Sequence, residues 1–460
     1  MRGYLLGLGE RFLAVLFILS TILYAFVLPP FEVPDEPAHF AKAAQLAFWT
    51  YPTVEVAGQP GAMLPANIVQ LIQDWPHTPI GEPVIPQKIE RLAAAFSHST
   101  PSREVLKFAD FATLGSYPPI LYVPQAIGLQ LGRLFGLPPL GQFYAGRIAS
   151  CLAAYSFILL AVAMLPIGAR TVLVLACLPG VSSQMSSYSA DTMIFGLSFL
   201  SFSIILRAEN VFSIRMRYCL LFLLPLLTMA KGVYLPIAAA GFGSANGRSS
   251  SRLIWIFAGS IIGVAAFILW FGTFAGGAIN QQHFVSSRTL QHAVSATPSA
   301  QLHFMIMHPV FSIVTIFKTM LIRLPAYAAG IIGRFGWLNV LLPVSLYVLA
   351  VTVLLGAVIV TDARRPMPTL TQRVLWLGLA ILMYMLVHCA LYLTASELGE
   401  DFVEGVQGRY FLPLLPPMAL AALWRGTERM GRVADVLLPV GVTLLMVGGL
   451  TTATSAFWHI

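Results

Sequence analysis

The sequence predicts an all-α protein that crosses a membrane many times. Of its 460 residues, 57% are hydrophobic and 10% are charged, and the mean hydropathy is +0.79. A soluble domain needs a largely polar surface, which this composition does not supply. The net charge of +8 comes from Lys and Arg scattered over short loops between apolar segments. This pattern sets membrane orientation and does not indicate a nucleic-acid surface.

The apolar segments predict the topology in order. The first, roughly Phe12 to Leu28, follows basic residues and has no small-residue cleavage site after it, so we interpret it as an uncleaved helix with a cytoplasmic N-terminus. About eleven crossing helices are predicted, at residues 12–30, 144–167, 171–188, 191–206, 217–230, 232–246, 253–272, 337–360, 374–395, 410–424 and 433–455. Several are shorter than the ~20 residues that span a bilayer, as is tolerated where a helix lines a cavity.

The remaining stretches predict two extracytoplasmic loops in a single domain, 1–460. The first loop, 31–141, is polar and proline-rich and carries short interfacial helices, and the second is 273–336. Placing the basic loops on the cytoplasmic side leaves the segments 120–135 and 309–324 in the outer interface and the C-terminus outside.

Charge is concentrated directly after the first apolar segment. Glu32, Asp35, Glu36 and His39 fall within eight residues, in a protein with only 19 acidic residues. On the predicted topology, further polar residues share the outer face: Tyr117, Arg147, Asp191, Lys231, His308, Trp337, Glu404, Gln407, Arg409 and Tyr410. A transporter would more often bury such groups near the midplane of the membrane. Their gathering at one face favours an enzyme at the outer leaflet.

An ordered set of motifs resembles the bacterial membrane proteins of domain-of-unknown-function family 2142. The motifs are Pro34-Asp35-Glu36-Pro37-Ala38-His39-Phe40, Tyr117-Pro118-Pro119-Ile120-Leu121-Tyr122, Ser189-Ala190-Asp191, Lys231-Gly232-Val233-Tyr234, Gly336-Trp337 and Gly405-Val406-Gln407-Gly408-Arg409-Tyr410-Phe411-Leu412-Pro413. That family in turn resembles the GT-C glycosyltransferases, which use polyprenyl-phosphate sugars and carry a catalytic Asp or Glu in the first extracytoplasmic loop. The resemblance implies a GT-C-like fold and a hexosyl- or pentosyltransferase of the bacterial plasma membrane.

Sugar transfer from a polyprenyl phosphate to a hydroxyl needs a base for the acceptor's proton and cations for the departing phosphate. Asp35 is the candidate base, with Glu36 and His39 beside it in the candidate catalytic group. Lys231, Arg409 and Tyr410 are candidates for holding the phosphate. The candidate substrate-binding residues are Tyr117, Arg147, Asp191, His308, Trp337, Glu404 and Gln407. We expect no obligatory metal, although Asp35, Glu36 and His39 could together hold a divalent cation.

Several of these residues also have structural interpretations that the sequence leaves open. Asp35 and Glu36 could be solvated loop charges, His39 a helix cap, and Lys231 a snorkelling lysine. Arg409 could anchor the following helix. Arg147 and Asp191 could pair with each other or cap helix ends, and Trp337 could belong to an aromatic belt rather than to a sugar platform.

Two other functions compete with the transferase. A transporter or flippase of lipid-linked saccharides would need polar pockets on the cytoplasmic side, where the loops are short and basic. An oligosaccharide polymerase or ligase would share the outward site but use a pyrophosphate-linked donor. Because the chain has no P-loop and no dinucleotide-type glycine motif, we expect a lipid-linked donor. The expected partners are that donor, an envelope glycan or lipid-linked acceptor, and membrane lipid.

Overall fold

The structure is a computed structural model that describes residues 7–56, 59–75, 77–97, 105–111, 114, 117–208, 213–243, 250–270, 272, 298–360 and 367–459. The fold is mostly helical. Its α-helices are Leu8–Val27, Glu36–Ala47, Ala66–Asp74, Ile89–Ser97, Val123–Leu134, Pro139–Met164, Ala169–Ala176, Pro179–Met185, Asp191–Arg207, Ile214–Ala230, Ser250–Trp270, Pro298–Met307, Pro309–Gly333, Val344–Ala357, Leu370–Thr394, Leu415–Ala421 and Glu428–Phe457. The 3₁₀ helices of the described residues include Pro119–Tyr122, Gly232–Gly243 and Gly408–Leu414.

Six helices of the described residues are long and apolar enough to cross a membrane. They are Leu8–Val27, Pro139–Met164, Arg252–Trp270, Pro309–Gly333, Leu370–Thr394 and Glu428–Phe457. A polytopic membrane protein is therefore confirmed at this level. The remaining predicted crossings correspond to shorter segments, of which Gly232–Phe242 and Val344–Ala357 are the apolar helices of 10–17 residues.

Three predicted crossings are interrupted by proline. The predicted helix 171–188 is divided into Ala169–Ala176 and Pro179–Met185, because the residue before a proline is driven out of the helical region. Leu178 accordingly has an extended backbone, with ψ of 136°. The predicted helices 232–246 and 410–424 begin instead as 3₁₀ helices that contain Pro236 and Pro413.

The segment 309–324, which was predicted to lie in the outer interface, belongs to a longer helix. It is the first part of a 25-residue helix, Pro309–Gly333, with the length and hydropathy of a membrane span. The prediction relied on the charges of Lys318 and Arg323. Lys318 pairs with Asp401 at 2.6 Å, and Arg323 stacks on the ring of Phe402, so both charges have partners. Of the predicted loop 273–336, residues 273–297 lie outside the described residues.

The first predicted loop folds against the helices and is not purely helical. A three-stranded antiparallel sheet is formed by Val54–Val56, Gln59–Pro65 and Leu106–Asp110, in that order. The helix Glu36–Ala47 packs between this sheet and the helix Val123–Leu134. With 12 residues, Val123–Leu134 extends only about 18 Å, too short to cross the bilayer alone.

The centre of the fold is the helix Asp191–Arg207, in which every residue except the last is buried. It packs against Pro139–Met164, Ile214–Ala230 and both of the longer 3₁₀ helices. Its first residue, Asp191, therefore lies deep in the protein at the point where the two 3₁₀ helices begin. This arrangement brings the residues before Gly232 and after Gly408 to the same place.

The first and last helices of the described chain run parallel. Gly9 lies beside the backbone of Asp435, and at the other end Trp458 donates from Nε1 to the carbonyl of Val27 at 2.6 Å. The short strand Trp458–His459 also pairs with Gln87–Lys88 of the first loop. The described residues also form two short two-stranded sheets. Arg334–Phe335 pairs with Val340–Leu341, and Ile359–Val360 pairs with Trp424–Arg425.

Close backbone contact between short segments predicts a specific sensitivity to substitution. A Cβ on Gly180 would lie 2.5 Å from the carbonyl oxygen of Gly330, a backbone atom that cannot move aside cheaply. We expect Gly180→Ala to lower the midpoint of thermal unfolding in detergent by several degrees. Gly378, within a long helix, has nothing within 4 Å of the added Cβ, so Gly378→Ala should leave the midpoint unchanged or raise it. Equal midpoints for the two variants would contradict this packing.

Candidate functional site

A fully buried ion pair fixes the start of the first loop. Arg147 donates from Nη2 and Nε to the two carboxylate oxygens of Glu36, at 2.6 and 2.9 Å, and both residues are 0% exposed. Glu36 also accepts from the backbone N–H groups of Phe31 and Tyr188, at 3.0 and 2.9 Å. Every hydrogen-bonding position of the carboxylate is used, so Glu36 has the geometry of an anchor rather than of a base.

The same guanidinium completes the end of the first helix. Arg147 donates to the carbonyls of Ala25, Leu28 and Pro29 at 2.8, 2.6 and 3.0 Å, and these groups have no partners within the helix. The sequence left open a pairing of Arg147 with Asp191, and this is wrong. Arg147 pairs with Glu36 because the start of the loop folds back across its helix, which sequence spacing does not reveal.

Four predicted site residues form one ion-pair network. Arg409 pairs with Asp35 through Nη2 and lies 3.4 Å from Asp191 through Nε. Asp191 in turn accepts from Lys231 Nζ at 3.1 Å. The side chains of Arg409 and Asp191 are 7% and 8% exposed, whereas that of Asp35 is 39% exposed. Asp35 is thus the member of the network that faces open space.

The backbone at Asp35 adopts a conformation that needs an explanation. Its φ is 63° and its ψ is 5°, in the left-handed region, immediately before the helix Glu36–Ala47. Aspartate tolerates this region better than most residues, but it still costs free energy. The adjacent contacts hold it in place: Arg409 Nη1 donates to the carbonyl of Pro34 at 2.8 Å, and Glu36 is anchored by Arg147. The turn therefore directs the Asp35 carboxylate toward Arg409.

Aromatic rings surround the cations of the network. Lys231 Nζ lies 4.2 Å from the ring centroid of Tyr410 and 5.7 Å from that of Tyr117. Tyr234 donates from its hydroxyl to the backbone carbonyl of Tyr410 at 2.7 Å, which fixes that ring's segment. The structure thus brings the predicted residues Tyr117 and Tyr410 to the same place as Lys231. The ammonium group is held by a carboxylate and two ring faces rather than by a snorkelling path to water.

His39 is buried one helical turn after Asp35. Its Nδ1 lies 2.8 Å from the Tyr122 hydroxyl, and its ring meets Tyr117 edge-on. Burial, reinforced by the positive charge of Arg409, lowers the pKa of His39 to about 4. The imidazole is therefore neutral near pH 7 and forms a hydrogen bond with a phenol.

Trp337 lies at the mouth of the site, and one face of its ring is already covered. The indole Nε1 donates to the carbonyl of Phe31 at 3.0 Å, and the ring of His77 stacks on it at 3.8 Å. The neighbouring Thr78 donates to the buried carboxylate of Glu32 at 3.0 Å. Burial raises the pKa of Glu32. The stack of His77 on Trp337 was not predicted, because it joins residues 260 positions apart in the sequence.

The structure does not bring all predicted residues into the network. His308 is exposed, begins the helix Pro309–Gly333 and contacts the ring of Phe304. Glu404 is partly buried and its backbone N–H bonds to Ser396. Gln407 lines the cleft described next. Among the described residues, no three His, Cys, Asp or Glu side chains are grouped to hold a metal ion. Asp35, Glu36 and His39 point to three separate partners.

A cleft adjoins the network, and Arg409 forms part of its lining. Its empty volume is about 480 Å³, including the open mouth. The lining residues are Leu28, Val33, Pro34, Gly180, Ser183, Gln184, Gly330, Arg334, Phe335, Gly336, Leu338, Gln407, Gly408, Arg409 and Leu412. Arg334 was not predicted as a site residue. Its position two residues before the Gly336-Trp337 motif is the signal that could have indicated it.

Together, the fold and this network define a helical integral membrane protein with a charged site at one end of its bundle. The family model described as "Predicted membrane protein (DUF2142)" matches residues 17–418. The chain therefore belongs to this family, as its motifs indicated. Neither a curated protein nor a solved structure matches the chain.

The buried pair predicts a large loss of stability when one partner is removed. Arg147→Met leaves the Glu36 carboxylate buried without a counter-ion, and we expect a loss of about 3–5 kcal/mol in the free energy of unfolding. The matched control is the exposed pair Arg170–Asp435, where Arg170→Met should cost no more than about 1 kcal/mol. Denaturant titration in detergent measures both. Similar losses for the two variants would contradict the anchoring role of Arg147.

His39 predicts a defined pH dependence of stability. Its pKa is about 4 in the folded protein and 6.5 in the unfolded chain, so below pH 6.5 the unfolded state binds a proton that the folded state does not. The contribution of His39 is complete above pH 6.5 and is lost as the pH falls toward 4, by roughly 3 kcal/mol at most. The stability difference between wild type and His39→Gln should therefore shrink between pH 7 and pH 4. A constant difference would show that His39 titrates normally.

Proposed function

We propose that this protein is a membrane glycosyltransferase with a GT-C-like fold, which moves a sugar from a polyprenyl-phosphate donor to an envelope glycan or lipid-linked acceptor. The observation that carries the proposal is the exposure of Asp35. It is the one open carboxylate of a network whose other three charges are largely buried. A carboxylate held this firmly and left accessible on one side has the requirements of a general base.

The proposed reaction assigns a path to each atom. The acceptor hydroxyl gives its proton to a carboxylate oxygen of Asp35, and the acceptor oxygen forms a bond to the anomeric carbon of the sugar. The bond between that carbon and the phosphate oxygen breaks, and its electron pair leaves with the polyprenyl phosphate. Phosphate is a good leaving group when cations stabilise it, so no second carboxylate is needed as a general acid.

The network supports this chemistry by positioning. Arg409 holds Asp35 through one nitrogen and the carbonyl of Pro34 through another, so the base cannot rotate away from the acceptor. Asp191, which is paired with Lys231, contacts Arg409 through Nε, next to the Nη2 that binds Asp35. We assign Glu36, Arg147 and His39 to the support of this arrangement. We propose that the site faces the outside of a bacterial plasma membrane, with the N-terminus in the cytoplasm and about eleven crossings.

The proposal predicts a large and specific effect of Asp35→Asn. The amide cannot accept the proton, so we expect transfer to fall by on the order of 10²–10⁴-fold. Purified wild type and variant would each be incubated with radiolabelled polyprenyl-phosphate hexoses and pentoses and an extracted envelope acceptor pool. The matched control is Asp74→Asn, an exposed residue of the same loop whose carboxylate accepts from Gln70, and its activity should equal that of wild type.

The outcomes separate the proposal from its competitors. Label that reaches the acceptor with wild type and Asp74→Asn but not with Asp35→Asn supports the transferase. Full activity of Asp35→Asn overturns Asp35 as the base. If a pyrophosphate-linked oligosaccharide is transferred and no monophosphate donor reacts, the oligosaccharide polymerase or ligase replaces it. If labelled donor crosses vesicle membranes intact, a flippase of lipid-linked saccharides replaces the transferase as the function.

A further inference from the structure

The charges of the ion-pair network sum to zero, so the network has no excess positive charge to neutralise a phosphate. Asp35 and Asp191 carry two negative charges, and Lys231 and Arg409 carry two positive ones. His39 is buried and neutral near pH 7. A donor phosphate carries one negative charge, and about two once the sugar has left. Binding it therefore needs a cation outside the network, because an uncompensated buried charge is costly.

The cleft next to the network supplies that cation. Arg334 follows the helix Pro309–Gly333 and is held in place by a hydrogen bond from its Nε to the carbonyl of Leu338 at 2.6 Å. It forms no ion pair with any acidic group of the described residues. The described lining of the cleft contains two arginines, Arg334 and Arg409, and no carboxylate. Because Arg409 is already paired within the balanced network, the positive charge that the cleft adds is that of Arg334.

Unused hydrogen-bonding groups also point to a ligand. The side-chain nitrogen of Gln184 and the side-chain oxygen of Gln407 are buried, and neither has a hydrogen-bond partner within the described part of the chain. Both residues line the cleft, and Gln184 is only 7% exposed. Buried polar groups normally find partners, since leaving one unpaired costs free energy. An anionic oxygen would satisfy Gln184, and a hydroxyl group would satisfy Gln407.

The rest of the lining suits the start of a lipid chain. Leu28, Val33, Phe335, Leu338 and Leu412 form apolar wall next to the two arginines. Cationic groups beside an apolar wall match a phosphate attached to a hydrocarbon better than a free inorganic ion.

We propose that this cleft is the phosphate subsite for the lipid-linked donor, in which Arg334 supplies the counter-charge and Gln184 donates to a phosphate oxygen. Arg409 stands between the subsite and Asp35, and so separates the leaving group from the base. Lys231 belongs to the support of Asp191. This inference rests on the proposed function and identifies the residues that bind its donor.

The test measures binding separately from activity. Purified protein in nanodiscs is titrated with farnesyl phosphate, with farnesol and with inorganic phosphate, and the dissociation constants are compared. We expect wild type to bind farnesyl phosphate at least tenfold more tightly than either of the other two. Arg334→Gln should raise the dissociation constant for farnesyl phosphate about 10- to 100-fold, which is the usual effect of losing a charged hydrogen bond. Its affinity for farnesol should not change.

Two further variants guard against an effect of misfolding. Arg323→Gln removes an exposed charge from the helix that precedes Arg334, and it should bind farnesyl phosphate as wild type does. Gln184→Leu removes the amide without changing the charge of the protein, and it should raise the dissociation constant for farnesyl phosphate severalfold. Equal affinities of Arg334→Gln, Arg323→Gln and wild type for farnesyl phosphate would overturn the subsite. So would equal affinities of wild type for farnesyl phosphate and farnesol.

The two proposals fail in different ways. If farnesyl phosphate binding depends on Arg334 but no sugar is transferred from any donor, the subsite stands and the transferase does not. If sugar transfer depends on Asp35 while Arg334→Gln changes neither the farnesyl phosphate affinity nor the donor KM, the transferase stands and the subsite is overturned.

Discussion

The site depends on the buried pair between Arg147 and Glu36. One guanidinium binds a carboxylate from the first loop and three carbonyls at the end of the first helix. Such a pair is not a strong source of net stability, because both charges lose their hydration. Its effect is geometric. It ties residue 36 to the helix Pro139–Met164, and residue 35 has little freedom left. The position of the Asp35 carboxylate follows from a contact that Asp35 itself does not make.

Two neighbouring regions next to this ion pair differ in charge: the ion-pair network is neutral, and the cleft is positive. Asp35, Asp191, Lys231 and Arg409 neutralise one another, which allows the last three to be largely buried at the head of the central helix while Asp35 stays open on one side. Next to the network, the cleft has arginine without carboxylate. A substrate with one anionic and one neutral reacting group can therefore be oriented by charge alone, since only one side of Arg409 attracts its anion.

The sequence predicted the membrane class and the gathering of Asp35, Asp191, Lys231 and Arg409, because charge is scarce in this chain and its few clusters stand out. Partners could not be predicted, since Glu36 and Asp35 are adjacent in sequence and yet bind different arginines. The full length of the helix Pro309–Gly333 was not predicted, because Lys318 and Arg323 interrupt its apolar run and their partners are distant in sequence. The sheet of the first loop was missed because Gln59–Pro65 carries prolines, which disfavour a strand except at special positions.

The parallel first and last helices have a consequence for the number of crossings. If both cross, the contact of Gly9 with Asp435 puts their beginnings on one side of the membrane, and the bond from Trp458 to Val27 puts their ends on the other. The chain between residues 27 and 428 must then change sides an odd number of times. Four of the six long apolar helices lie in that interval, and four crossings return the chain to the side on which it started. If all four cross, an odd total requires at least one further segment, such as a short or proline-broken helix, to traverse the bilayer as well.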